Sequence, residues 1–370
     1  MNSSQLTNRR IRASRILSRR RFGLNSVLAV GSSVIALLGG QAGAADEELN
    51  RLEFLQIRMG IPVAIQVYAA DEEAANTAVE EAYERIRQID RIMSDYDPDS
   101  EMMKLCRDSR PGEPYPVSGE LAFVLAEARD LSRRTNGRFD VTIGPVVKLW
   151  RKARRQKALP DPDALHEALR LVDYRDVVVN ECRRTVALRQ PGMKLDLGAI
   201  AKGYASDEAL RILREHGFSC ALVDAGGDVV VGDAPPGRSG WRIAIEELDE
   251  PDSNQANPNT LLLADMAVAT SGDAYRFIEI DGTRYSHIVD PETGLGLTTR
   301  SSVTVIARDC MTADSLATAV SVLGPEAGLR LIDCTCGTET YIIVAREDGF
   351  DRMATRGFSN HLLDGDTDCE

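Results

Sequence analysis

The stretch LDLGAIAKGYASDEAL, Leu195 to Leu210, decides how the chain is read. Leu195 and Leu197 alternate with Lys194 and Asp196, the period of a half-buried strand. Gly198 predicts a turn. From about Ile200 the pattern turns helical, with Ala201, Ala205, Ala209 and the Ile212/Leu213 pair on one face and Gly217 just past the end. An acid, Asp196, and a base, Lys202, therefore flank a glycine turn that opens a helix. The first N–H groups of a helix lack partners within it and attract anions, and a lysine one turn in adds a full positive charge. That suits a phosphate or pyrophosphate. Taken alone, the stretch fits a plain strand–turn–helix with a solvated lysine equally well.

Downstream, ALVDAGGDVVVG (Ala221–Gly232) predicts a strand running into a glycine turn, and Trp241–Ile245 another strand. Residues 249–259 are rich in Pro, Asn and Asp and predict a loop. The segment Phe277–Gly294 predicts a hairpin around Asp281-Gly282. A strand at Val303–Ala307, a helix at Thr312–Leu323 and a strand at Tyr341–Arg346 follow, then an acidic tail, residues 350–370, expected to be loose. Upstream, Ile61–Ala69 alternates as a strand, and Glu72–Met93 repeats apolar residues at the helical period: Ala75, Val79, Ala82, Ile86, Ile89, Met93. Ser94–Glu101 is turn-rich. Ser118 caps a helix from Gly119 to about Thr135, which Asn136-Gly137 stops. A helix near Asp163–Leu171 and a strand at Asp176–Asn180 complete the pattern. Helices and hairpin-paired strands are mixed, which predicts an α+β fold with largely antiparallel sheets.

The chain has 370 residues and a net charge of −13. All seven charges in residues 1–44 are arginines, so the remainder carries a net charge near −20. Such a surface argues against nucleic acid as a partner, and it requires that an anionic ligand be held by a local cation or a metal. Residues 1–44 read as a twin-arginine export signal: Ser18-Arg19-Arg20-Arg21-Phe22, an interrupted apolar stretch Val27–Gly40, and a small-residue cleavage site Ala42-Gly43-Ala44. This places the mature protein, residues 45 onward, in the periplasm. The seven cysteines form no CxxC pair, and Cys334-Thr335-Cys336 is too tight for a zinc knuckle. Most are expected to be buried, small apolar residues, with one or two disulfides open to an exported chain.

Three further features bear on chemistry. Asp314 and Thr318 stand four apart on a predicted helix, hence on one face, and offer hard oxygen ligands. A backbone carbonyl from the Gly198–Ala199 turn would complete a partial magnesium shell. His287, in YSHIVDP, sits among apolar residues before an Asp-Pro turn, as a general base or as a satisfied core histidine. The turns Asp224–Asp228 (DAGGD) and Ser271-Gly272-Asp273 let backbone approach a ligand, but neither is a GxGxxG nucleotide fingerprint.

Taken in order, MGIPVAIQV, MSDYDPDSEMMKL, GRFDVTIGPVVKLW, LDLGAIAKGYA, ALVDAGGDV, AVATSGD, RYSHIVDPETG and ADSLATAVSVLG resemble the ApbE family, the FAD:protein FMN transferases, over about residues 57–346. The resemblance implies a single T-fold-like domain over residues 45–349. It implies an enzyme that takes FAD and Mg2+, moves FMN onto a threonine or serine hydroxyl of an acceptor flavoprotein, and releases AMP. Carried onto this sequence, it implies FAD contacts from Met59, Tyr96, Arg138, Phe139, Asp140, Asp196, Lys202 and Ile288. Ala199, through its carbonyl, Asp314 and Thr318 would hold magnesium, and His287 would be the base. Two positions depart from the family pattern: Ile61 stands where a threonine is frequent, and Asp224 where an asparagine is. The twin-arginine signal is similar to that of the branch serving nitrous-oxide respiration, which implies a membrane-bound respiratory electron-transfer protein as acceptor. Two other readings share these residues: a magnesium-dependent FAD pyrophosphatase, and a periplasmic accessory protein that binds flavin without chemistry.

Overall fold

The structure, a computed structural model, describes residues 49–245, 248, 260–272 and 277–363. The expected export segment, the loop at 249–259 and Asp273 lie outside these residues. The fold is built on one eight-stranded sheet: β1 (Asn50–Arg58), β2 (Ile61–Ala69), β3 (Ala221–Ala225), β4 (Asp228–Val231), β5 (Met266–Gly272), β6 (Ser301–Ala307), β7 (Glu339–Arg346) and β8 (Gly349–Ala354). Order in the sheet follows order in the sequence, and every neighbouring pair is antiparallel. The chain therefore meanders, and whatever lies between two strands is an insertion on that meander. The long insertion between β2 and β3 holds six helices: α1 (Glu72–Met93), α2 (Glu101–Asp108), α3 (Gly119–Arg134), α4 (Gly144–Gln156), α5 (Pro162–Leu169) and α6 (Ala201–Glu215). The one between β6 and β7 holds α7 (Cys310–Leu323) and α8 (Pro325–Asp333).

Alternation along the strands sorts side chains between two cores. Val63, Ile65 and Val67 of β2, Ala221 and Val223 of β3, and Val303 and Val305 of β6 join the main core, under α1, α6 and α7. Leu222, Val229, Val231, Val268 and Ile306 face the opposite side, where Trp241, Leu261, Leu263 and Phe358 cover them. Helix α1 buries all six residues expected from its period. A smaller cluster around Val146, Trp150 and Val289 joins α4 and α5 to the segment after the Asp281-Gly282 hairpin. There the Trp150 Nε1–H donates to the Gly294 carbonyl at 2.7 Å.

Several expectations are corrected. Residues 195–197 are not a strand: Leu195 and Leu197 are both buried in the main core, and the segment bonds to the short 3-10 helix before α4 (Val141–Ile143) through the Asp196 N–H to the Val141 carbonyl, 2.8 Å. Alternating burial marks an extended chain over a core, not a ladder partner. The tail is not loose where the structure describes it, since residues 349–354 pair with β7 and Phe358 stacks on Tyr341 with ring centres 5.4 Å apart. Of the six described cysteines only Cys310 is buried, and Cys182, Cys334 and Cys336 are exposed; all six are free thiols. Strand β1 and helices α2, α4 and α8 were not expected. Helix α2 has a legible start, because Ser100 accepts from the Met103 N–H at 3.1 Å.

Small residues let α6 and α7 touch. A Cβ at Gly203 would lie 2.2 Å from the Cys310 carbonyl oxygen, so glycine there sets the distance between the helices. Gly203→Ala should therefore destabilise the protein by about 2 kcal/mol or more through overpacking, although alanine in a helix interior ordinarily gains about 1 kcal/mol over glycine. Urea unfolding reads the sign. A stabilised variant would contradict this packing.

Candidate active site

The elements meet around a cleft of about 510 Å³. Tyr96, Arg138, Phe139, Asp140, Asp196, Ala199, Lys202, His287, Ile288, Asp314 and Thr318 all line it. Met59 does not. It occupies the β1–β2 turn with φ 50°, beside Gly60 at φ 73°, and packs on the main core, while Ile61 two residues on lines the cleft. Positive φ at both central positions is the two-residue hairpin geometry that follows strand twist.

At the floor, the Lys202 ammonium lies between two carboxylates. It donates to Asp314 Oδ1 at 3.1 Å and is in close contact with Asp228 Oδ2. The Asp314 and Asp228 side chains are only 3% and 6% exposed. Burial, then Asp314 beside it, pushes the Asp228 carboxyl up to about 7. The two carboxylates in turn raise the Lys202 ammonium against the opposing effect of burial. Asp314 Oδ2 also accepts from the Gly203 N–H at 3.2 Å. The anion at the start of α6 is therefore the protein's own carboxylate, and Lys202 is already neutralised by it. Asp228 was not singled out from the sequence, though the DAGGD turn was. Gly226 and Gly227, at φ 70° and 99°, reverse the chain so that β4 begins with this acid over the cleft.

Hydroxyls surround the same place. Thr318, one turn after Asp314 on α7, lies 3.2 Å from Ser271 Oγ, and Thr270 lies 3.0 Å from Thr304. Asp309 caps α7 through the Thr312 N–H, and Asp207 accepts from the Cys310 and Met311 N–H groups at 2.7 and 2.9 Å. This double cap fixes the register of Asp314 and Thr318 on the helix.

The RFD run divides its labour. Arg138 binds the Asp290 carboxylate with both oxygens at 3.0 Å and also contacts Glu292. Phe139 is buried in the core. The Asp140 carboxylate accepts from the Thr142 N–H and hydroxyl and from the Tyr174 N–H, at 2.8, 2.6 and 2.8 Å, so it shapes the turn before α4. At the mouth, Arg151 contacts Asp95 and reaches Asp196 Oδ2 at 3.5 Å. His287 is half-buried and Ile288 buried; the Ile288 N–H donates to Ser286 Oγ at 3.1 Å.

The cations Lys202, Arg138 and Arg151 each face two carboxylates. The cleft combines this carboxylate excess with hydroxyls, an exposed aromatic ring at the mouth and one imidazole. Such a site can take a divalent cation, an anionic ligand bound through it, and a proton from an incoming hydroxyl.

A family model described as the ApbE family matches residues 59–342. An FAD:protein FMN transferase of Treponema pallidum is 35% identical over 322 residues, covering 82% of this chain and 87% of that one. A Vibrio cholerae protein of the same name is 33% identical over 79% of this chain and 86% of its own. The solved structure of the flavin transferase ApbE from Vibrio cholerae matches with a TM-score of 0.75 at 30% identity, covering 85% of this chain and 100% of that one. The sequence blocks, the antiparallel α+β fold and the cleft they build agree with these matches: the chain belongs to the ApbE family.

Proposed function

We propose that the protein is an FAD:protein FMN transferase that uses magnesium, transfers FMN to a serine or threonine hydroxyl and releases AMP. The observation that carries this reading is the charge of the cleft. A pyrophosphate brings further negative charge to a site where Lys202, Arg138 and Arg151 are already paired with carboxylates. It needs a divalent ion for binding. Among the described residues no three His, Cys, Asp or Glu side chains form a metal group. Magnesium needs no such cage, because it takes one or two carboxylates together with waters and substrate phosphates. The residues fit that ion: buried Asp314 lines the cleft together with Thr318 and Ala199, and the three would offer it a carboxylate, a hydroxyl and a backbone carbonyl. When bound there, magnesium neutralises the phosphates of the dinucleotide.

The chain's own groups do the rest. Tyr96, 78% exposed at the mouth, offers a ring for the isoalloxazine. Lys202 holds Asp228 and Asp314 together at the phosphate end. His287 takes the proton of the acceptor hydroxyl as its oxygen bonds to the FMN phosphorus. The phosphorus–oxygen bond to the AMP phosphate breaks, and AMP leaves with that electron pair. Phosphoryl transfer of this kind depends mainly on positioning and charge neutralisation. The seven arginines and the cleavage site of residues 1–44 support export by the twin-arginine route and an acceptor in the periplasm, of which a membrane-bound respiratory flavoprotein is the kind we favour.

Two variants test the roles. Asp314→Ala should abolish metal-dependent transfer, read as loss of the one-FMN mass gain on an acceptor domain; full transfer would remove Asp314 from the metal site. His287→Ala should slow transfer by roughly 10²–10⁴-fold with FAD still bound. An unchanged rate would make His287 a structural residue.

A further inference from the structure

Tyr96 is a large aromatic side chain left 78% exposed on a loop, Ser94–Ser100, between α1 and α2. Its ring is nevertheless not on its own. The Arg151 guanidinium carbon lies 4.0 Å from the ring centre. Arg151 belongs to α4, and the same guanidinium contacts Asp95, the neighbour of Tyr96, and approaches Asp196 Oδ2 at 3.5 Å. Asp196 Oδ1 in turn accepts from the Gly198 N–H at 2.8 Å, in the turn that carries Ala199 and opens α6. One side chain therefore ties the aromatic mouth of the cleft to its phosphate end.

We propose that Arg151 is a positioning residue for flavin: stacked on one face of Tyr96 and bridging Asp95 and Asp196, it holds the ring so that the other face receives the isoalloxazine. The inference rests on the flavin-transfer reading. The physics is preorganisation. An exposed tyrosine on a loop has rotamers to lose when it stacks on a ligand, and a guanidinium packed on its far face removes that freedom beforehand. The planar guanidinium suits this better than an ammonium would, because it stacks and bridges two carboxylates at once. Asp196 supports the arrangement: burial, then Asp95 beside it, pushes its carboxyl up to about 6, so the two acids repel and Arg151 is the cation between them.

The test is a double-mutant cycle on the whole protein with FAD and magnesium. Arg151→Ala should raise the Kd for FAD about tenfold, the order of one well-placed cation–aromatic contact. KM for FAD should rise in parallel while kcat falls less than threefold, because Asp314 and His287 are untouched. The saturated complex should also fluoresce more brightly, since a loosened Tyr96 quenches stacked flavin less. In a Tyr96→Leu background, Arg151→Ala should change Kd less than twofold. Arg151→Lys keeps the charge between the two acids and guards against a variant that fails to fold; it should still give the brighter complex. Independent, multiplying effects of the two substitutions would overturn the proposal, as would a loss confined to kcat. Failure of the unaltered protein to bind FAD would overturn the flavin reading as well, and is separable because it appears before any substitution is made.

Discussion

A lysine buried between two carboxylates is the contact on which the rest of this site depends. Lys202 comes from α6, Asp228 from β4 and Asp314 from α7, so one ammonium fastens two helices and the sheet. Taking these charges out of water is costly, and removing one partner of such a set ordinarily costs several kcal/mol. The arrangement stands because the surrounding contacts determine it. Gly203 lets α6 and α7 approach, Asp207 and Asp309 cap α7, and the Gly226-Gly227 turn delivers Asp228 at the start of its strand.

The set holds two acids and one base, and that imbalance gives the cleft its chemistry. Were the cluster neutral, the cleft would be a polar crevice with no reason to collect a cation. As built, it is short of positive charge where hard oxygen donors gather, and Arg138 and Arg151 nearby are committed to carboxylates of their own. On the proposed function, a strongly acidic protein would take an anionic dinucleotide through a metal rather than through a basic surface. On the same reading the two ends of the cleft would have separate tasks, aromatic recognition at the mouth and charge neutralisation at the floor.

Much of this was legible in the sequence. Residues four apart on a helix must share a face, so Asp314 and Thr318 could be paired without a structure. Strand β2 follows from alternation, β3 and β6 from short apolar runs, and α1 from its period. What the chain could not reveal locally is where charges end up relative to one another. Lys202 reads as a free cation at a helix start; only the fold brings Asp314, 112 positions away, to the same N–H groups. Asp228 was hidden in a glycine turn whose conformational role was plain and whose acid was not. Arg151, one residue past GRFDVTIGPVVKLW, has no pattern to mark it, because its partners come from two other segments. Strand β1 escaped because its partly covered side carries Leu52 and Phe54 but also Gln56 and Arg58, while Leu55 and Ile57 on the other side are exposed, so the apolar residues do not alternate.

A floor that needs a divalent cation before it accepts a pyrophosphate should bind FAD, but not a phosphate-free flavin, in a magnesium-dependent way. Titrating FAD into metal-stripped protein, with and without magnesium, tests it most directly, with riboflavin as a ligand that lacks phosphate. Magnesium should strengthen FAD binding tenfold or more and leave riboflavin binding unchanged. Equal affinity for FAD with and without magnesium would contradict it.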